Sequence, residues 1–187
     1  NLFLPESDHG AGLTNLDYAP LCELMGRVPI ASEVFNCSAP DTGNMETLER
    51  YATPAQQDRW LQPLLDGRIR SAFLMTEPAV ASSDATNIET RIERDGDHYV
   101  IDGEKTWISN GGIADFYVVF VRSGEAPGAR GISALIVDAD TPGLEIAERI
   151  DVIAPHPLAR LRFSGCRVPA SQRMGAAGEG FKLAMRT

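Results

Sequence analysis

The sequence predicts an α+β fold: a helical first third, then a run of antiparallel strands, then the opening of a further helix. Three observations predict it. Up to about residue 70, apolar residues recur at helical intervals between Pro- and Gly-marked breaks. From Ser71 onward, short runs of Val, Ile, Phe, Tyr and Thr alternate with Gly, Asp, Asn and Pro turns about every ten residues. Finally, Gly178-Glu179-Gly180 leads into Phe181, Leu183 and Ala184, which have the spacing of an amphipathic helix.

Each element has its own signal. Thr14 is a capping residue with Asp17 three positions on, and Leu16, Leu21, Leu24, Met25 and Val28 follow at helical spacing. Pro20 is tolerated in a first turn, whereas Pro29 interrupts, so 14–36 reads as two pieces or one bent helix. A turn-rich passage from Ala39 surrounds a short helical turn at 45–51. Thr53-Pro54 then opens a helix carrying Trp60, Leu61, Leu64 and Leu65, which stops at Asp66-Gly67. Strands are expected at 88–94, 98–102, 104–109, 116–122, 132–138, 144–149 and 158–168, the first two joined through Asp95-Gly96-Asp97 and the next pair through Asp102-Gly103. Several antiparallel neighbours imply a small barrel or sandwich.

Composition narrows the function. With 17 Lys+Arg against 26 Asp+Glu, the net charge is −9 and no basic cluster exists to attract a phosphate backbone, so nucleic acid is excluded as a partner. No apolar run reaches the roughly 20 residues of a membrane span, and no signal peptide opens the chain, which leads us to expect a soluble intracellular protein. Cys22, Cys37 and Cys166 are widely spaced and are read as reduced, mostly buried thiols. The chain starts without Met and stops within a helical pattern, so an excerpt of a longer protein is expected.

Metal, P-loop and Rossmann signatures are missing, and no metal site is expected. Two loops stand out instead. The first, Thr76-Glu77-Pro78-Ala79-Val80-Ala81-Ser82-Ser83-Asp84, directly follows the apolar run Ala72-Phe73-Leu74-Met75. Its hydroxyls and free amides suit a polar cofactor or its phosphate oxygens; the competing reading is a solvated loop bonding its own backbone. The second is Lys105-Thr106-Trp107-Ile108-Ser109-Asn110-Gly111-Gly112. An indole can cover a flat heteroaromatic ring while a hydroxyl two residues on meets its polar edge, although a strand-end Trp is also ordinary core. Glu77 reads as a brace for its loop, and His156, with no nearby Asp, Cys or second His, is assigned no role.

Met75-Thr76-Glu77-Pro78 with Ser82-Ser83-Asp84, then Gly103-Glu104-Lys105 through Trp107-Ile108-Ser109-Asn110-Gly111, resembles the acyl-CoA dehydrogenase family in order and spacing. The likeness continues through Arg167-Val168-Pro169 and Gly178-Glu179-Gly180-Phe181, covering nearly the whole chain. Val34-Phe35-Asn36-Cys37 and Ala154-Pro155-His156 are similar to the subgroup containing the human family members ten and eleven. The resemblance implies the end of an N-terminal helical domain (1–70), a middle antiparallel β-barrel domain (71–175) and the start of a C-terminal helical domain (176–187). It implies FAD, an acyl-CoA substrate dehydrogenated to trans-2-enoyl-CoA, an electron-transferring flavoprotein as acceptor, and a tetramer or dimer. The compartment would be the cytoplasm in a bacterium, or a mitochondrion or peroxisome in a eukaryote. By position, Phe73, Met75, Thr76, Ser82, Ser83, Trp107, Ile108 and Ser109 would contact the cofactor, with Ser82 or Ser83 at the pyrophosphate and Ser83 also a candidate for substrate. Ser109 stands where many relatives have Thr. No catalytic residue is assigned within the chain, because the family's general base, a Glu, is expected beyond Thr187. An oxidase of the same family, and a non-catalytic β-domain for protein binding, are the alternatives left open.

Overall fold

The computed structural model describes all residues from 1 to 187 except Phe3, Pro5, Glu6, Ser82, Ser83, Glu125 and Pro155. Thr14 caps α1 (Asn15–Met25) reciprocally: its hydroxyl accepts from the Asp17 N–H and the Asp17 carboxylate accepts from the Thr14 N–H. Pro29 lies in the turn before the single-turn α2 (Ala31–Val34), where the break is expected. The next helix, α3 (Asp41–Tyr51), begins earlier than the 45–51 turn expected from the sequence. Its first turn holds the poor helix formers Asp41, Thr42, Gly43 and Asn44, and buried contacts override their propensity. Asp41 accepts from both the N–H and the hydroxyl of Ser71 at 2.7 Å, and Asn44 donates to that hydroxyl at 2.9 Å. The helix opened by Thr53 is continuous as α4 (Pro54–Gln56), a π turn (Gln57–Leu61) and α5 (Gln62–Leu65). The widened turn comes just ahead of Pro63, which has no N–H to return to the preceding turn.

Among the described residues, eight strands form one sheet: β1 (Ser71–Leu74), β2 (Arg91–Asp95), β3 (His98–Ser109), β4 (Phe116–Arg122), β5 (Ile132–Asp138), β6 (Leu144–Ile150), β7 (Leu158–Pro169) and β8 (Arg173–Met174). Their order is β6-β7-β3-β2-β4-β5-β8, with β1 alongside β4. Two expectations are corrected. The sheet is mostly antiparallel but does not close into a barrel: β6 and β8 are edges, the two-residue β8 pairs only with Ala134 and Leu135, and β1 runs parallel to β4. Moreover Asp102-Gly103 is no turn, because 98–109 is a single strand with a bulge there. Gly103 has φ 144° and passes so close to Thr90 that a Cβ would lie 2.6–2.9 Å from its atoms. The glycine thus serves close backbone approach and lets the strand continue.

β4 is buried on both faces, and its alternation sorts the core. Tyr117, Val119 and Val121 join Leu135, Val137, Leu161 and Phe163 on one side. Phe116, Val118 and Phe120 join Ile132, Ala134 and Ile136 on the other, under Met45, Leu48, Trp60, Leu61 and Leu64 of the helices. Leu183 of α6 (Gly180–Ala184) completes this helical side. No helix among the described residues is long and apolar enough to cross a membrane. The cysteines are free, but only Cys166 is buried, and burial pushes its thiol up to about 11; Cys22 is exposed on α1 and Cys37 half-buried, contrary to the expectation of mostly buried thiols.

Candidate functional site

The two loops singled out in the sequence lie side by side. Where β1 runs out into Met75-Thr76-Glu77-Pro78, the Thr106 N–H donates to the Thr76 carbonyl at 3.0 Å, and the Thr76 hydroxyl donates to the Thr106 carbonyl. Lys105 Nζ reaches across as well, donating to the Met75 carbonyl at 3.0 Å and to Glu77 Oε1 at 2.7 Å. The Glu77 carboxylate also accepts from the backbone N–H groups of Glu89 (2.6 Å) and Thr90 (3.0 Å). Glu77 is therefore a brace joining three segments, with three donors on its carboxylate.

Both charges are withdrawn from water, Lys105 being 0% exposed and Glu77 7%. Burial pushes the Glu77 carboxyl up, but the Lys105 ammonium and the hydrogen bonds from Glu89 and Thr90 outweigh it and hold the group below the ordinary carboxylate value. Burial pulls Lys105 down to about 8 against the attraction of Glu77. The pair is ionised at neutral pH; the attraction is mutual, and the carboxylate has the Glu89 and Thr90 N–H donors in addition.

Further along β3 the ladder to β7 slips: Lys105 faces Leu161 and Ile108 faces Ala159, so three steps on one strand match two on the other. Trp107 takes up the extra residue at φ 59°, a left-handed conformation that costs an aromatic residue on the order of 1–3 kcal/mol. Its indole is 60% exposed, while Ile108 on the opposite side of the strand is 2% exposed and sits in the core. A large apolar ring is thus held out toward solvent beside two hydroxyl residues, a fit for a flat, polar-edged ring system such as a flavin.

The other predicted positions sort as follows. Phe73 lies against Phe120 with ring centroids 4.6 Å apart and, with Met75, packs half-buried on the helical-side core. The Thr76 hydroxyl gives its proton to Thr106, leaving its oxygen as an acceptor. The Ile108 side chain does not face the site; only its backbone is available there. Ser82 and Ser83 lie outside the described residues. Among the described residues no group of three His, Cys, Asp or Glu is placed to hold a metal.

Sequence reasoning missed His156. Its Nε2 lies 2.8 Å from Ser109 Oγ, a pairing across 47 residues of chain that only the β3–β7 register brings about. Nearby, Asn110 at φ 61° donates to the Ser71 carbonyl at 3.0 Å, so the end of β3 and the start of β1 share an anchor with Asp41 of α3. Arg70 pairs with Asp41 at 2.9 Å and with Glu33. Burial raises Glu33, but the Ser38 hydroxyl and Arg70 hold its carboxyl below the ordinary value, with His156 adding a weaker pull.

Residues 72–166 match the acyl-CoA dehydrogenase middle domain, and residues 1–68 match the N-terminal domain of the same enzymes. Helices layered on a mostly antiparallel sheet are also the fold of the solved acyl-CoA dehydrogenase structures that this chain resembles. The chain belongs to the acyl-CoA dehydrogenase family. It is 48% identical to mouse acyl-CoA dehydrogenase family member 10 over 98% of its length, covering 18% of that protein. A candidate acyl-CoA dehydrogenase from Mycobacterium abscessus superposes over all of it with a TM-score of 0.93 and 41% identity, covering 47% of that chain. Butyryl-CoA dehydrogenase from Megasphaera elsdenii superposes over 76% of it, with a TM-score of 0.73 and 34% identity, covering 38% of that chain. The chain spans less than half the length of each of these relatives.

Proposed function

We propose that the full-length protein is an FAD-dependent acyl-CoA dehydrogenase that takes the α-proton and a β-hydride from an acyl-CoA thioester, leaving trans-2-enoyl-CoA. The observation that carries this reading is Trp107, an indole held outward by a left-handed residue at a bulge, on a loop bonded to the Met75–Glu77 turn. FAD, when bound, supplies the acceptor for the hydride. Trp107 would cover its ring system and exclude water, the Thr76 oxygen and the Ser109 hydroxyl would bond its polar edge, and Phe73, Met75 and the Ile108 backbone would complete the contacts. Ser82 and Ser83 serve the pyrophosphate or the substrate. Glu77 is excluded as the base because Lys105, Glu89 and Thr90 hold its carboxylate. The proposal places the base, a Glu, outside residues 1–187, where abstraction of the α-proton is aided by a hydrogen-bonded thioester carbonyl. The domain limits near 70 and 175, transfer of electrons to an electron-transferring flavoprotein, and assembly as a tetramer or dimer belong to the same reading. Its test is the visible spectrum of the full-length protein before and after a panel of acyl-CoA thioesters, without an electron acceptor. Bleaching of a flavin band by one thioester is the expected result; a colourless protein that cannot be reconstituted with FAD overturns the reading.

A further inference from the structure

We propose that His156 is a positioning residue whose imidazole holds the Ser109 hydroxyl in the orientation it needs at the polar edge of the flavin. The inference rests on the flavoenzyme reading above and adds a residue to it. Contacts on both sides of His156 tie its segment to this place. In the β3–β7 ladder Ser109 pairs with Leu158, and the Asn110 N–H donates to the Pro157 carbonyl at 3.0 Å, so the backbone just ahead of β7 is locked against the site turn. His156 lies two residues before Leu158, just outside the ladder at the end where Ser109 is paired. Its own N–H donates to the Ala154 carbonyl at 2.8 Å, and its Nε2 lies 2.8 Å from Ser109 Oγ.

The chemistry explains why a histidine is useful there. A serine hydroxyl alone rotates among three staggered positions and spins its proton freely. When Oγ accepts from an Nε2–H, the side-chain rotamer is fixed and the hydroxyl proton stays available to a second acceptor. Ser109 lacks the methyl that would restrict a threonine, so an external partner supplies that restriction. Asn110 and Trp107, both left-handed, keep the backbone of the turn fixed on either side of Ser109.

The test uses the full-length protein as wild type, His156→Ala, His156→Gln, Ser109→Ala and the His156→Ala/Ser109→Ala double variant. In the apoprotein, nitrogen NMR of the imidazole should report a hydrogen-bonded Nε2 whose signal moves in Ser109→Ala. In the FAD-loaded protein the readouts are the visible band shape and the midpoint potential. Losing the orienting bond should change the ratio of affinities for oxidised and reduced flavin by roughly tenfold, about 30 mV for a two-electron couple. His156→Gln, whose side-chain amide can donate to the same oxygen, should restore most of the shift, and His156→Ala should add nothing in the Ser109→Ala background. An unchanged potential and spectrum in His156→Ala, or a shift that persists without Ser109, overturns the role of His156 and leaves the dehydrogenase reading standing. A wild type that takes up no FAD overturns both.

Discussion

Replacing Lys105 with Met should destabilise the protein by about 3–5 kcal/mol, the cost of leaving a buried charge without its partner. Lys105 is 0% exposed, its Nζ lies 2.7 Å from Glu77 Oε1, and Met fills a similar volume without carrying charge. The variant strands two acceptors: the Glu77 carboxylate keeps only the Glu89 and Thr90 N–H donors, and the Met75 carbonyl loses its 3.0 Å bond. The pH dependence has a definite sign. In the wild type Glu77 titrates below its unfolded value, so its contribution is present above about pH 4.3 and is lost as pH falls through the folded value. In the variant, burial without a cation raises Glu77 above its unfolded value, so the penalty is complete at neutral pH and relaxes as acid neutralises the carboxylate. Urea unfolding from about pH 4 to pH 7 should therefore show a gap between wild type and variant that widens with pH. Adding Glu77→Gln to Lys105→Met should recover all but about 1–2 kcal/mol, because a neutral amide can still accept from Glu89 or Thr90. A Lys105→Met loss below about 1 kcal/mol, or a double variant weaker than the single, would refute the buried-pair account.

Trp107→Gly removes an outward ring and suits the left-handed backbone, so the unfolding midpoint should hold or rise while FAD affinity, followed by flavin fluorescence, falls at least about tenfold. Gly103→Ala places a Cβ within 2.6–2.9 Å of Thr90, and thermal unfolding should show a loss of about 2–4 kcal/mol. Thr14→Ala breaks the capping box of α1 and should cost about 1 kcal/mol, read as lost amide-exchange protection in 15–18 rather than a change in the sheet.

What the sequence made legible was local. The Thr14 cap, the break at Pro29, the Thr53-Pro54 helix start and the Asp95-Gly96-Asp97 hairpin turn each depend on a few adjacent residues, and each is present. Barrel closure depends on which strands become neighbours, and a two-residue β8 leaves the sheet open. Gly103 was misread because glycine serves both turns and close approaches, and only the proximity of Thr90 decides between them. The two loops that the structure brings together stand out by their residue types, and Glu77 is the brace its sequence context suggests. Its cation, 28 residues away, arrives through the Thr76–Thr106 backbone contact, and His156 reaches Ser109 through the β3–β7 register; neither is local in sequence. The early start of α3 was hidden for the same reason, since its first turn is held by Ser71.

The helical face of the core has a consequence for how the chain is made. Met45, Leu48, Trp60, Leu61 and Leu64 find their cover on Phe116, Val118, Phe120, Ile132, Ala134 and Ile136. Ribosomes add about 5–20 residues per second, so for roughly 3–15 seconds the nascent helices emerge before the strands that cover them have been synthesised. During that interval their apolar side is a natural chaperone substrate, and a pause in translation ahead of β4 lengthens the exposure. Within this chain the apolar face of α3 and of the helix opened by Thr53 is covered by strands that come after it in sequence.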